Sequence, residues 1–205
     1  MIKNFRDISK YNTKLINGVV FRSSAPCLYK DNLDIESILR SKNVSTIIDL
    51  RADREIKEIY YHQDQHLNFD IVHAPFDPWN QSVAFQNVHN TGTNAEIAYH
   101  FLSLECKESL KLVVESIIQS TGAINIHCHA GKDRTGIVIT LIHLLSGADK
   151  EIILLDYLAS EMDTKEHYIQ IFLDVVSEEG GVIDYLKSCG LSIEQIEVLK
   201  SKLVR

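Results

Sequence analysis

The stretch that decides the fold is AINIHCHAGKDRTG, residues 123–136. Ala123–His127 has the short apolar pattern of a buried strand. From Thr135 onward, apolar residues surround a helix almost completely, which predicts a central buried helix that ends at Gly147. A strand, a loop of small residues and a buried helix therefore follow one another directly.

Short apolar runs alternate with helical patterns in the first two thirds of the chain. Further strands are predicted at Val44–Leu50, Val19–Phe21 and Ile71–Val72. Helices are predicted over Leu33–Ser41, Asp53–Tyr61 and Asn94–Gln119. Alternation of this kind predicts an α/β fold whose sheet is covered by helices on both faces.

The last third of the chain is predicted to be almost wholly helical. Asp163 with Glu166, and Ser192 with Gln195, match capping boxes that open later helices. Gly180-Gly181 is predicted to separate two of these helices.

The loop between Cys128 and Arg134 has the length and composition of an oxyanion site. Five residues separate the two, which is enough backbone to bend around one tetrahedral oxyanion. Successive amides in such a loop point inward, and the N-terminus of the following helix adds its positive end. Gly131 and Gly136 permit dihedral angles and close approaches that a side chain would hinder.

Cys128 is the predicted nucleophile of this site. The loop amides, the helix N-terminus and the neighbouring cations stabilise its thiolate at neutral pH and direct it at phosphorus. The rigid fork of Arg134 can hold two equatorial oxygens of a phosphoryl group into the transition state. Thr135 is predicted to donate its hydroxyl to the sulfur when the thiophosphate intermediate breaks down.

Three other uses of this segment explain it less well. A nucleotide-binding loop needs Ser or Thr after Gly-Lys, where this chain has Asp133. A metal site at His127, Cys128 and His129 conflicts with strand geometry, because alternate side chains face opposite ways. A purely structural Cys128 leaves the coincidence of strand, glycines, arginine and helix unexplained. We therefore predict no metal.

At these residues the chain resembles the protein tyrosine phosphatase superfamily, whose signature is His-Cys, five residues, Arg, and then Ser or Thr. The longer string Ala130–Gly136 is similar to the atypical bacterial-type members, which act on phosphotyrosine and often on phosphoinositides. Segments that also look like motifs of this branch are Asn4–Asp7, Phe21–Ser24, Ile48–Arg51, Asp53–Glu55 and Asp156–Ser160.

The resemblance implies a cysteine-phosphatase fold, with a small, mostly parallel sheet surrounded by helices, and no metal or organic cofactor. It implies a phosphomonoesterase that works through a cysteinyl-phosphate intermediate. A lysine at position 132 goes, in this branch, with acceptance of inositol lipids. The phosphate would be bound by the loop residues His129, Ala130, Gly131, Lys132, Asp133, Arg134 and Thr135.

Three carboxylates compete for the role of general acid. The resemblance implies Asp133, directly before Arg134, although a carboxylate there could instead accept the first amides of the helix. Asp77 is the next candidate, followed by Glu96, because most superfamily members supply an Asp from a separate mobile loop. Residues 77–94 have little resemblance to known motifs and are interpreted as a variable lid.

Supporting roles are predicted for three residues near the loop. His127 precedes the nucleophile in the signature. Asp49 ends a predicted strand and would orient Arg51 or the loop, or else cap the helix that follows. Arg51 would contact phosphate or form an ordinary surface ion pair. His62 and His66 are predicted to lie on a solvated helix face rather than to bind a metal.

Composition limits which binding partners and which cellular compartment are expected for this chain. A formal net charge of −7 argues against nucleic acid and leaves phosphorylated protein or inositol phospholipid as the expected substrate. The four cysteines show no paired spacing, which indicates a reducing compartment. No apolar run approaches the roughly 18 residues of a membrane span, so contact with membrane lipids would be transient. Residues 1–205 carry no signal-peptide pattern and are predicted to form one cytoplasmic domain, with signal-independent export left open.

A catalytically silent phosphate-binding module on the same fold is the rival hypothesis. Such modules usually lose the cysteine, the arginine or the nearby acid, and here Cys128, Arg134 and Asp133 are all present. Sulfur transfer on Cys128 is a third possibility, but it would need neither Asp133 nor Thr135. The sequence therefore favours an active phosphatase.

Overall fold

The structure is a computed structural model. It describes residues 1–29, 34–58, 69–77, 83, 87 and 95–205. Apart from Asp77, Val83 and Asn87, the predicted lid over residues 77–94 lies outside the described residues. His62 and His66 also lie outside them.

Within the described residues, five strands form one sheet. They are β1 (Arg6–Asp7), β2 (Val20–Ser23), β3 (Val44–Asp49), β4 (Asp70–His73) and β5 (Ala123–His127). The order across the sheet is β1-β2-β5-β3-β4, and only β1 runs antiparallel to its neighbour. The predicted small, mostly parallel sheet is confirmed, with β5 at its centre.

The predicted strands are confirmed, with small shifts at their ends. β5 has the predicted bounds, and Leu50 lies just beyond the end of β3. β2 begins one residue later than predicted, at Val20, and extends to Ser23, whereas β4 is one residue longer at each end. β1 was not predicted, because two residues carry no alternation that distinguishes a strand from a loop.

Helices occur both between the strands and after them. In chain order they are α1 (Ile35–Arg40), α2 (Asp53–Glu58), α3 (Ala95–Glu105), α4 (Lys107–Gln119), α5 (Asp133–Leu145), α6 (Lys150–Leu158), α7 (Glu166–Glu178), α8 (Val182–Ser188) and α9 (Ile193–Leu203). The predicted helical last third is confirmed.

The single helix predicted over Asn94–Gln119 is wrong. The chain leaves helical geometry at Cys106, where ψ is 25°, and α3 and α4 are separate helices. They pack on different partners, α3 against α7 and α4 against α9. No Gly or Pro stands at the break, so the sequence carried no local signal for it.

Three of the predicted helix ends are confirmed by the structure, and one is wrong. Gly147 follows α5 with a φ of 67°, Gly180-Gly181 separates α7 from α8, and Ser192 forms the predicted capping box with Gln195. The capping box predicted at Asp163 is wrong, since α7 begins after Lys165 without a side-chain cap. The backbone carbonyl of Asp163 accepts a hydrogen bond from Lys132 instead.

The two faces of the sheet carry separate apolar clusters. On one face, Ile48 and Ile126 belong to the cluster that contains Ile137 of α5, and on the other face Ile47 belongs to that of Leu39 in α1. α5 is buried from Thr135 through His143, which confirms the predicted central helix. The turn from β5 into α5 therefore lies at the carboxyl edge of the sheet, where α/β folds place ligands. No helix in the described part of the chain is both long and apolar enough to cross a membrane.

Candidate active site

The loop between β5 and α5 turns its carbonyl groups outward. The carbonyl of His129 accepts from the Ala25 amide at 3.0 Å, and that of Ala130 accepts from Asn4 Nδ2 at 2.8 Å. The carbonyl of Gly131 accepts from Arg22 Nη2 at 2.9 Å. In a trans peptide the N–H points opposite to the carbonyl, so the following amides face the inside of the loop. A ring of inward amides is a binding site for an oxyanion.

Two glycines allow this loop to pack closely. Gly131 has a φ of 69°, and a β-carbon there would lie 2.2 Å from the carbonyl oxygen of Ser23. A β-carbon at Gly136 would lie 2.9 Å from the ring of Tyr157. Any side chain at either position would force the loop or the start of α5 to move, as the sequence predicted for both glycines.

Behind the loop, Arg22 of β2 forms a buried ion pair with Asp156 of α6. Their atoms approach to 2.5 Å, with both side chains at most 1% exposed. Arg6 donates to the same carboxylate at 2.8 Å, and Ser160 accepts from both arginines. Burial alone would raise the pKa of Asp156, but Arg22, His143 and Arg6 hold it far below its usual range. The segments around Arg22 and Asp156 resembled family motifs, and the structure brings them together behind the loop.

On the pocket side, Arg134 is held by a residue that the sequence analysis did not select. Glu55 accepts from Arg134 Nη1 at 2.5 Å and from Nη2 at 2.8 Å, and it also accepts from the Ala52 amide. Two hydrogens at the end of the guanidinium are used in this way, and among the described residues its side edge has no further hydrogen bond and could meet a phosphoryl group. Glu55 lies in the segment Asp53–Glu55, which the sequence showed only as similar to a family motif. Its role becomes visible through its tertiary contact with Arg134.

The pKa values of this pair reflect its mutual stabilisation. Burial would raise the pKa of Glu55, but the hydrogen bonds and charge of Arg134 and the Ala52 amide lower it to about 2. Burial would lower the pKa of Arg134, but Glu55 and the negative charges on Cys128 and Asp133 raise it above its usual value. Both groups are therefore charged at neutral pH.

Asp133 is the first residue of α5 and lines the pocket. Its Oδ1 accepts a hydrogen bond from the Tyr99 hydroxyl at 2.6 Å, and its side chain is 38% exposed. Within the described residues the carboxylate is bound by Tyr99 and not by the first amides of α5, which was the competing structural role. One carboxylate oxygen is therefore left to meet a substrate.

The other two acid candidates are engaged differently. Asp77 lines the pocket but is 2% exposed, and its carboxylate accepts twice from Arg54, at 2.8 and 2.9 Å. Glu96 lies 3.4 Å from His167 on the exposed surface. Asp133 thus combines access to the pocket with proximity to Arg134 in a way that neither alternative does.

Asp49, Arg51 and His127 form a buried group beneath the loop. Arg51 is fully buried and donates to Asp49 at 2.7 Å, so the hypothesis of a surface ion pair is wrong. Asp49 accepts the Arg51 amide rather than capping α2, and the amide of Ala52, directly before α2, donates to Glu55. His127 Nδ1 lies 3.0 Å from the Cys128 carbonyl and 3.7 Å from Asp49. Burial lowers the pKa of His127, so its ring is neutral in this environment.

The remaining loop residues differ in exposure. Cys128 is 2% exposed at the floor of the loop, whereas the His129 side chain is exposed. Lys132 lines the pocket and donates to the Asp163 carbonyl at 2.8 Å. The Thr135 hydroxyl is buried and has no partner among the described residues, so the predicted hydrogen bond to the sulfur is not formed here. Among those residues no cluster of His, Cys, Asp and Glu is placed to hold a metal ion.

A cavity of about 610 Å³ opens at the end of this loop, where Lys132, Asp133 and Arg134 line it, whereas Cys128 is not part of its lining. Its charged lining contains both acidic and basic residues, and Phe76, Tyr99 and Tyr168 supply aromatic walls. The charged residues that line it are Arg54, Glu55, Asp77, Lys132, Asp133, Arg134 and Asp163.

The fold and the sequence of the loop together indicate the class of tyrosine-phosphatase-like phosphatases. A sequence model described as "Tyrosine phosphatase family" matches residues 1–205, and the chain therefore belongs to that family. The resemblance to atypical members of the superfamily is confirmed, as is the assignment as a tyrosine-phosphatase-like phosphatase.

Two comparisons with individual proteins agree with the family. PtpB of Mycobacterium tuberculosis H37Rv, described as a triple specificity protein phosphatase, is 28% identical over 186 residues, covering 77% of this chain and 66% of that protein. The chain thus spans slightly less than two thirds of the length of this relative. The crystal structure of a DUF442 protein from Shewanella putrefaciens CN-32 has a TM-score of 0.51 at 14% identity, covering 86% of this chain and 93% of that one. At that identity the similarity concerns the fold alone.

Proposed function

We propose that the chain hydrolyses phosphomonoesters through a cysteinyl-phosphate intermediate, with phosphotyrosine as its first substrate class. The observation that carries the proposal is the loop of outward carbonyls that starts at Cys128 and ends at Arg134. Inward amides and the free edge of the Arg134 guanidinium would bind the three non-bridging oxygens. These groups stabilise the charge on the phosphoryl oxygens in the transition state, and such electrostatic stabilisation is the main source of catalysis in phosphoryl transfer.

The reaction takes place in two displacements. The Cys128 thiolate attacks phosphorus, the ester P–O bond breaks, and Asp133 gives a proton to the leaving oxygen. Water then attacks the phosphocysteine, Asp133 takes a proton from that water, and the S–P bond breaks to release phosphate. A positioned acid contributes about 10²–10⁴-fold to such a step, most for leaving groups that are poor without a proton.

Phosphoinositides are proposed as a second substrate class at the same site. The support is Lys132, which lines the cavity beside Asp133 and can meet a further phosphate as a point charge. Phosphorylated proteins and inositol phospholipids are thus the proposed partners. A cytoplasmic location, transient lipid contact and the organisation of residues 1–205 as one domain are proposed with them.

The test is release of phosphate from a panel of phosphotyrosine peptides and phosphoinositides by the purified protein and by Cys128→Ser. We expect wild-type turnover on phosphotyrosine and a loss of more than about 10³-fold in the variant, which keeps its amides and Arg134. The variant should still bind phosphopeptide, measured by calorimetry. Binding without turnover by the wild type would instead support the silent phosphate-binding module.

A further inference from the structure

A chain of two buried phenols ends on Asp133. The Tyr99 hydroxyl donates to Asp133 Oδ1 at 2.6 Å and lies 2.6 Å from the Tyr157 hydroxyl. Since the single proton of Tyr99 is used on the carboxylate, Tyr157 must donate to the oxygen of Tyr99. The direction of donation is therefore Tyr157 to Tyr99 to Asp133.

Both phenols are held firmly in place. Tyr99 of α3 is 2% exposed and stacks on Tyr168, with ring centroids 5.6 Å apart. Tyr157 of α6 is 1% exposed and packs against Gly136, one turn along α5 from the phosphate loop. Burial, together with the charge of Asp133, raises the pKa of both hydroxyls above the usual tyrosine value. Both therefore remain protonated donors at any working pH.

We propose that Tyr99 is a positioning residue that holds Asp133 for proton transfer. This inference rests on the proposed function, in which Asp133 is the general acid. With Oδ1 bound by Tyr99, Oδ2 carries the proton that passes to the leaving oxygen as the P–O bond breaks. The carboxylate that remains keeps the hydrogen bond, which is stronger to an anion than to a neutral acid. Tyr99 thus stabilises the transition state more than the ground state.

A residue that only packs α3 against α6 would behave differently. Removing its hydroxyl would lower activity equally on every substrate, because the whole site would shift. A residue that acts through the general acid affects only substrates whose leaving group needs a proton. The dependence of activity on the leaving group therefore distinguishes a residue that only packs from one that acts through the general acid.

The experiment compares kcat on an activated aryl phosphate, p-nitrophenyl phosphate, with kcat on an alkyl phosphate, a phosphoserine peptide. Tyr99→Phe should lower kcat on the alkyl phosphate about 10-fold and on the aryl phosphate by less than about 2-fold. Tyr157→Phe, which leaves the Tyr99 bond in place, should show the same split at about 2- to 3-fold on the alkyl phosphate. Tyr185→Phe is the matched control: Tyr185 is also fully buried and donates to the Ser103 carbonyl at 2.6 Å, and both rates should stay within about 2-fold.

A double-mutant cycle with Asp133→Asn completes the test. Asp133→Asn alone should slow the alkyl phosphate far more than the aryl one, and adding Tyr99→Phe should change neither rate further. Equal losses on both substrates in Tyr99→Phe, or an undiminished Tyr99→Phe effect in the Asp133→Asn background, would overturn the positioning role and leave the general acid intact. A missing leaving-group effect in Asp133→Asn itself would overturn the assignment of the general acid, and the role of Tyr99 with it.

Discussion

Two arginine–carboxylate pairs adjoin the loop between β5 and α5, one at the cavity and one buried behind the loop. In front, Arg134 pairs with Glu55 at 2.5 Å, with side chains 19% and 21% exposed at the cavity. Behind, Arg22 pairs with Asp156 at the same distance, and neither side chain is more than 1% exposed. Both pairs join an arginine to a carboxylate. They differ in the exposed fraction of their side chains, and this difference indicates different roles.

The difference shows that the same kind of ion pair can support ligand binding when it lies at a cavity, or support the structure of the loop when it is buried. The front arginine keeps an edge of its guanidinium toward the cavity, so it can share its charge with an oxyanion and still hold Glu55. The back arginine donates to Asp156 and to the carbonyl of Gly131, and it is fully buried. A buried pair holds the surrounding structure in place. Removing one partner is destabilising, because it leaves the other charge buried and uncompensated.

The largest effect on stability is expected at the back pair. Asp156→Ala leaves Arg22 and Arg6 buried without their carboxylate, and should lower the free energy of unfolding by about 3–5 kcal/mol. Urea unfolding followed by circular dichroism measures the loss. The control is Glu36→Ala in the exposed pair with Arg40, whose loss should be about 0–1 kcal/mol. A similar small loss in both variants would remove the distinction between the two pairs.

The front pair should affect catalysis more than stability. Glu55→Gln keeps the shape of the side chain but loosens Arg134, and kcat/KM should fall about 10-fold. Because the folded pKa of Glu55 is lowered from 4.5 to about 2, its stabilisation is complete above about pH 4.5 and is lost as pH falls toward 2. The difference in unfolding free energy between wild type and Glu55→Gln should therefore shrink over that window. A difference that stayed constant down to pH 2 would contradict the lowered pKa.

The most selective effect is expected at Lys132, which lines the cavity and whose side chain is 14% exposed. Lys132→Ala should lower kcat/KM on an inositol bisphosphate lipid about 10-fold and on a phosphotyrosine peptide about 2- to 3-fold. The control is Lys165→Ala, since Lys165 lies 3.6 Å from Asp163 in the same loop but is outside the cavity lining. Equal losses on lipid and peptide would argue against a second phosphate contact.

Local patterns predicted most of the secondary structure, and distant contacts account for the exceptions. β5, α5 and the Ser192 capping box follow from short-range apolar spacing and capping chemistry, which act within a few residues. The break at Cys106 does not, because α3 and α4 separate to reach α7 and α9. Asp163 likewise matched a capping pattern, yet its carbonyl accepts from Lys132, which is separated from it in the chain by α5 and α6.

The sequence by itself determined the loop: a cysteine, an arginine, an adjacent carboxylate and two glycines lie within nine residues, from Cys128 to Gly136. Their spacing is covalent, so no tertiary contact is needed to bring them together. Only the tertiary structure decided what surrounds them: Glu55 on Arg134, Tyr99 on Asp133, and Arg22 with Asp156 behind the loop. These partners lie 34 to 134 residues apart in the chain. The physical reason is that such charges and hydroxyls look like ordinary surface residues in sequence, and only burial of the sheet and helices against one another makes them meet.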